Sequence, residues 1–157
     1  MTLLEPTLEF AFEARVEIAE PLLLGDVADG ERFFTPIIGG TVAGPKLNGT
    51  VLPYGGDWSA VRSGTCELDA RYLLRAADGA TIDIHNKGFY RAEPEVEKRL
   101  RAGESVDESE YYYRTFPVFR TEAPEHAWLQ SAVFVGLARG EVVDGAHFVC
   151  IRFFALD

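Results

Sequence analysis

The chain has 157 residues, of which 15 are basic and 25 acidic, so its formal net charge is −10 at pH 7. This length predicts one domain over residues 1–157, and 47% hydrophobic content without a long apolar run is typical of a soluble globular protein rather than one spanning a membrane. Because the charge opposes a phosphate backbone, we expect no nucleic-acid partner.

The first residues and the cysteines indicate a compartment. The sequence does not open with a basic segment followed by an apolar one, so it predicts no secretory signal and a cytoplasmic protein. Cys66 and Cys150 are the two cysteines. In a reducing compartment each is expected to be a small buried residue rather than half of a disulfide.

The N-terminal segments predict antiparallel β-structure. From Leu8 to Ile18, apolar residues alternate with mostly charged ones, which is typical of a half-exposed strand. After Pro21 and the turn residues up to Gly30, residues 32–38 predict a second strand that runs into a glycine-rich stretch.

Residues 39–58 contain six glycines and two prolines within a strand-like sequence. Such residues indicate bulges or sharp bends, so we expect two short strands, at 41–42 and 47–52, that curl the sheet on itself. The stretch ends in a turn that presents Asp57 and Trp58, and Asp57 is the first candidate for chemistry. The alternative is that Asp57 only caps this turn.

The segment from Glu67 to Arg75 predicts one strand of a hairpin whose turn contains Asp78 and Gly79. A three-residue loop with Gly79 left-handed would pair Tyr72 with Ile84 and separate apolar from charged residues, whereas a two-residue loop would mix them. The first register is preferred, and it places Tyr72 and Asn86 on the apolar face.

One helix has sequence signals for both its start and its end. Pro94 begins it, acids occupy its first turn, bases its last, and Gly103 follows Ala102. Its apolar stripe is narrow, so the helix is expected to lie on the sheet. Asp107 and Glu110 have the spacing of a capping box for a further short turn.

The C-terminal third predicts three more strands. In residues 111–119 one face carries Tyr112, Arg114 and Phe116 and the other carries Tyr113 and Thr115, and the sequence leaves open which face is internal. Residues 124–129 predict a helical turn, and two strands follow as a closing hairpin. The last strand is apolar on both faces, which predicts a covered outer face and a homodimer.

Several short motifs together resemble a known family. They are the glycine-rich stretch GGTVAGPKLNGTVLPYGGDW, then LDARY, DGA, NKG, YYRT and AWL, and they extend over nearly the whole chain. On these residues the chain is identified as a member of the bacterial family called domain of unknown function 3237. The resemblance implies an all-β fold with one flanking helix, a single antiparallel lipocalin-like β-barrel, and no particular reaction. Arg120 departs from it, because an acid is expected there in most relatives.

The sequence argues against several kinds of chemistry. His85, His126 and His147 lie on different elements, and neither they nor the two cysteines have metal-ligand spacing, so no metal is predicted. The glycines do not match a phosphate-binding loop, so no nucleotide cofactor is expected. No serine lies in a nucleophile elbow.

Acid–base chemistry in a barrel cavity remains. The predicted catalytic residues are Asp57 as base, with Arg114 and Tyr112 holding a developing oxyanion, and the predicted substrate-binding residues are Tyr72, Asn86, Trp58 and Trp128. The alternatives are that the tyrosines only fill the core and that Arg114 forms a buried ion pair with Asp57 or Asp69.

Two functions follow from these assignments. The first is a cofactor-free isomerase, lyase, hydratase or hydrolase acting on a small carbonyl-bearing or aromatic molecule. The second is a lipocalin-like carrier or sensor that binds such a molecule without catalysis. They differ in whether an acid and a partner group converge in the cavity.

Overall fold

The computed structural model describes residues 1–157. Its one α-helix is α1 (Pro94–Arg101), and its 3₁₀ helices are Glu108–Glu110 and Pro124–Gln130. No helix is both long and apolar enough to cross a membrane. The strands are β1 (Leu8–Ile18), β2 (Leu22–Val27), β3 (Gly30–Ala43), β4 (Gly49–Val51), β5 (Gly55–Arg62), β6 (Thr65–Ala76), β7 (Thr81–Ala92), β8 (Tyr111–Arg120), β9 (Val133–Val143) and β10 (Ala146–Leu156).

The strands form a closed antiparallel barrel with eight strand positions. The order around it is β1, β10, β9, β8, β7, β6, then β4 and β5 sharing one position, then β3, which pairs again with β1. β2 pairs with β3 beyond the end of β1, so β1 and β2 share a position as well. The predicted single antiparallel barrel with one flanking α-helix is confirmed.

The glycine-rich stretch bends one long strand instead of starting two short ones. β3 runs without a break through Gly39 and Gly40, whose φ angles are 152° and 140°. A Cβ on Gly40 would lie 2.1 Å from the carbonyl oxygen of Arg15, so only glycine allows β1 and β3 to approach so closely here. The predicted strand at 41–42 is therefore the end of β3, and that at 47–52 contains β4.

The hairpin of β6 and β7 has the predicted register. Tyr72 pairs with Ile84 and Ala70 with Asn86, and Gly79 has a φ of 93°. The helix and the capping box between Asp107 and Glu110 are also confirmed.

Strand β1 departs from strict alternation. A bulge between Phe10 and Phe12 shifts its register against β10, so Ala11 and Phe12 are both buried while Leu8 is exposed. The strand bounds are as predicted. The prediction that all alternate apolar residues of β1 face inward is wrong for Leu8 and Phe10, because the extra residue of the bulge reverses which side chains point inward.

The chain itself covers part of the outer face of β10. The Arg15 guanidinium lies 3.7 Å from the ring centroid of Phe148, and the rings of Phe10 and Phe154 are 5.6 Å apart. Closure of the barrel also removes the exposed sheet edges. Apolar residues on both faces of this strand are thus accounted for within one chain, and the homodimer stays a prediction.

The packed core fills one end of the barrel. The ring of Phe119 lies 5.9 Å from that of Phe12, 5.1 Å from that of Phe134 and 6.0 Å from that of Phe153. These four rings are almost fully buried. At about 1.5–3 kcal/mol for each buried aromatic side chain, this end supplies much of the folding free energy.

The close approach of β7 and β8 gives a test of the fold. A Cβ on Gly88 would lie 2.2 Å from the Arg114 carbonyl oxygen and 2.8 Å from the Thr115 Cα. Gly88→Ala should therefore lower the free energy of unfolding by about 1–3 kcal/mol, measured by urea denaturation.

Gly140→Ala is the matched control, because no atom lies within 4 Å of the added Cβ. It should raise stability by up to about 1 kcal/mol, since alanine loses less backbone entropy than glycine. Equal effects of the two substitutions would contradict the strand spacing described.

Candidate functional site

The other end of the barrel encloses a cavity of about 430 Å³ lined by 18 residues, 11 of them hydrophobic. Val16, Ile37, Tyr72 and Ile151 belong both to the core and to the cavity wall. The cavity therefore begins where the packed core ends. Small-molecule sites in proteins have similar volumes and mostly apolar walls.

Asp57 points into this cavity because of its place in a strand. It pairs with Thr35 on one side and Ala70 on the other, and alternation turns Asp57 and Ser59 inward and Trp58 outward. The expected turn at Asp57 is therefore wrong, and so is its role as a turn cap.

The carboxyl group of Asp57 has an unusual environment. Its Oδ1 accepts a hydrogen bond from the backbone N–H of Asp69 at 2.8 Å, and it forms no ion pair. One side of the residue faces the cavity, and protein encloses the rest. This burial raises the pKa of Asp57 to about 6; the Asp69 N–H lowers it in part, and the Asp69 charge raises it.

Three polar atoms in the cavity wall are buried and have no hydrogen-bond partner in the protein. They are the Tyr72 hydroxyl, Oδ1 of Asn86 and Oγ1 of Thr115. An unsatisfied buried polar group costs about 1–3 kcal/mol, so such atoms usually have a partner from outside the chain. Burial raises the pKa of Tyr72, as does the charge of Asp57, and the Asn86 side chain lowers it only in part, so the hydroxyl keeps its proton.

Helix α1 contributes a second carboxyl group to the cavity, that of Glu97. The Tyr90 hydroxyl donates to Oε2 of Glu97 at 2.5 Å, and both residues line the cavity. The Tyr90 ring lies 5.1 Å from that of Tyr113, whose pKa is raised by burial and by the charge of Asp57. The cavity wall thus carries two carboxyl groups and several phenolic hydroxyls.

Cys66 also lines the cavity, but its thiol is poorly suited to nucleophilic attack. Burial and the charge of Asp57 raise its pKa to about 11, although a hydrogen bond with Ser59 opposes them. Neither in the cavity nor elsewhere in the chain do three His, Cys, Asp or Glu side chains lie close enough together to hold a metal ion.

The structure does not bring Arg114 and Tyr112 to the cavity. Tyr113 and Thr115 line it, so alternation in β8 turns Tyr112 and Arg114 to the outer face. There Nη1 of Arg114 donates to the Tyr113 carbonyl at 3.0 Å, and the Arg91 guanidinium lies 3.9 Å from the Tyr112 ring centroid. The predicted shared site of Asp57 with Arg114 and Tyr112 is wrong, and so is an ion pair between Arg114 and either Asp57 or Asp69.

The two tryptophans also lie outside the cavity. Trp58 is on the outer face, 46% exposed, with its ring 4.7 Å from that of Phe34. Trp128 packs at the opposite, filled end, 5.6 Å from Phe134. The prediction that they bind substrate in the barrel is therefore wrong, whereas Tyr72 and Asn86 do line the cavity with Asp57.

The comparisons with known proteins agree with this architecture. The family model described as a protein of unknown function (DUF3237) matches residues 6–156. The chain belongs to this family. A UPF0311 protein of Clostridium acetobutylicum is 41% identical over 133 residues, 83% of this chain and 84% of the relative.

Solved structures extend the family likeness. A β-barrel-like protein from Acinetobacter baumannii has a TM-score of 0.82 and 34% identity, covering 99% of each chain. A hydroalkoxylation enzyme of Penicillium herquei is 38% identical over 80 residues, 49% of this chain and 52% of that protein. A structure of an enzyme from the same fungus has a TM-score of 0.70 and 21% identity, covering 100% of this chain and 98% of that one, which shows a common fold.

The sequence-based assignment of the site missed several polar residues of the cavity wall, among them Ser59, Tyr90, Glu97, Tyr113 and Thr115. A signal for two of them exists in β8. Arg114 and Arg120 are both even-numbered, so they lie on the same face of that strand, and two arginines on one face are typical of a solvent-facing surface. The opposite face, with Tyr113 and Thr115, is then the internal one.

The raised pKa of Asp57 predicts how stability depends on pH. The folded protein holds this proton more tightly than the unfolded chain, because the pKa is about 6 instead of 3.8. Ionisation of Asp57 therefore lowers the free energy of unfolding. The loss is absent below about pH 4, grows between about pH 4 and 6, and stays constant at higher pH. Asp57→Asn should raise the free energy of unfolding at pH 8 by on the order of 2–3 kcal/mol, with no gain near pH 4, by chemical denaturation at both pH values.

Asp83→Asn is the control for this measurement. It removes a carboxylate that pairs with Arg71 on the outer face of β7, so it should give no gain at pH 8. A loss of stability in Asp57→Asn at pH 8 would mean that the carboxylate holds the fold together.

Proposed function

We propose that the protein is a cofactor-free acid–base enzyme that moves protons on a small carbonyl-bearing or aromatic molecule in its cavity. The observation that supports this most is a carboxyl group without a counter-ion in a mostly apolar cavity, with its pKa raised to about 6. A carboxylate tuned towards neutral pH is suited both to accept and to return a proton.

The surrounding hydroxyls supply the complementary part of the chemistry. When Asp57 removes a proton from a carbon next to a carbonyl, negative charge develops on the carbonyl oxygen. The Tyr72 and Tyr113 hydroxyls keep their protons, because the pKa of each is raised, and can donate hydrogen bonds to that oxygen. A general-base aspartate facing hydroxyl donors in an apolar site is the arrangement used by ketosteroid isomerase.

A reaction that adds the O–H bond of an alcohol or phenol across a carbon–carbon double bond suits the same groups. It needs a base for the hydroxyl proton and an acid that delivers a proton to carbon. The name of the Penicillium relative, a hydroalkoxylation enzyme, belongs to this reaction class and supports an addition or its reverse for the present chain. Isomerisation of a carbonyl compound uses the same proton transfers.

A carrier or sensor is the second candidate. It is favoured by the predominance of hydrophobic residues, 11 of 18, in the cavity wall. A carrier would bind the same molecules and leave them unchanged, so turnover at Asp57 separates the two functions.

The base can be tested without knowing the natural substrate. The probe is 5-nitrobenzisoxazole, from which a base removes the ring C–H proton while the N–O bond breaks and a coloured cyanophenolate forms. The protein should accelerate this reaction with a rate that rises with pH through about 6, the pKa of Asp57. Asp57→Asn should reduce kcat/KM by about 10²–10⁴, because an amide cannot accept the proton.

Arg114→Ala and Tyr112→Phe are controls that should keep the rate, because both side chains lie on the outer face. An unaltered rate in Asp57→Asn, together with tight binding of the probe, would favour the carrier.

A further inference from the structure

The charged side chains in the cavity wall all have the same sign. Asp57 and Glu97 are the carboxylic acids in the wall, and it contains no lysine, arginine or histidine. Arg101 contacts one of these two acids: its Nε donates to Oε1 of Glu97 at 3.2 Å, and its side chain is 79% exposed. It therefore approaches Glu97 from the solvent side and offers no cation inside.

We propose that the cavity accepts uncharged molecules with a hydroxyl or carbonyl group on an apolar body, and rejects carboxylates, phosphates and the anionic coenzyme thioesters. This selectivity rests on the proposed acid–base site and deepens it, because it names the class of substrate. It follows from the charges of the wall and from the unsatisfied polar atoms beside Asp57.

An anion would lose its hydration on entering and would find no counter-ion. Burying an unpaired charge is strongly unfavourable, and the repulsion by two carboxylates adds to that cost in a low-dielectric site. Enzymes that bind carboxylate or phosphate groups normally place arginine, lysine or a helix N-terminus against them. None of the 18 residues of this wall can supply a cationic side chain.

A neutral oxygen group would find partners already in place. The hydroxyls of Tyr72 and Thr115 can donate to a carbonyl oxygen, and Oδ1 of Asn86 can accept from a ligand hydroxyl. The rest of the wall, formed by residues such as Ile18, Leu68 and Val149, contacts the apolar body. Phenols, enols, ketones and lactones have this chemistry.

A matched set of probes tests the proposal. Affinities of 2-naphthol, 2-acetylnaphthalene and 2-naphthoic acid for the whole protein are measured by calorimetry at pH 7.5. The alcohol and the ketone should bind, and the acid, which is ionised at this pH, should bind at least about tenfold more weakly. Its affinity should rise by about tenfold or more in Asp57→Asn with Glu97→Gln, because the repelling charges are gone, while that of 2-naphthol changes little.

Asp83→Asn, on the outer face, is the control and should leave all three affinities unchanged. Equal or tighter binding of 2-naphthoate by the wild-type protein would overturn the proposal, and so would a failure to bind any of the three compounds. These binding results test only the selectivity of the cavity. The proposed proton transfer is tested separately, by the reaction of 5-nitrobenzisoxazole.

Discussion

The direction of the Asp57 side chain depends on backbone pairing. Thr35 and Ala70 hold its strand on both sides, and the backbone N–H of Asp69 holds its Oδ1 at 2.8 Å. With β5 fixed between β3 and β6, the carboxyl group has to face the cavity. Its enclosure, and so its raised pKa, is a consequence of the barrel and not of any single contact.

The barrel divides its interior between stability and chemistry. One end is filled by phenylalanine rings at centroid distances of 5.1–6.0 Å. The other end holds the Asp57 carboxyl group, which has no counter-ion, and the hydroxyls of Tyr72 and Thr115, which lack protein partners. The second group of features destabilises the fold, since unpaired buried polar groups are unfavourable. A closed sheet with a packed end tolerates this, and the destabilised part of a protein is often its functional part.

Local chemistry in the sequence predicted much of the fold. The Gly79 turn fixed the register of β6 and β7 because only one loop length separates apolar from charged residues, and this correctly placed Tyr72 and Asn86 inside. The helix was recognisable from its charges and from Pro94. The bulge in β1 was not, because nothing in that alternating sequence marks an extra residue.

The site was harder to predict because it depends on strand parity. Tyr112 and Tyr113 are the same residue type one position apart, and which of them faces inward is decided by pairing with β7 rather than by either residue. Nothing in the sequence around Trp128 shows which end of the barrel it occupies, and its contact with Phe134 places it at the packed end. Glu97 reaches the cavity from a helix that the sequence placed only on the surface.

The account depends most on the state of one carboxyl group, and its titration can be observed directly. In protein labelled with ¹³C at the aspartate side-chain carboxyl, the resonance missing from Asp57→Asn identifies residue 57. That resonance should titrate with a pKa of about 6. A midpoint near 3.8, the ordinary value for an aspartate, would contradict the burial on which the proposed chemistry rests.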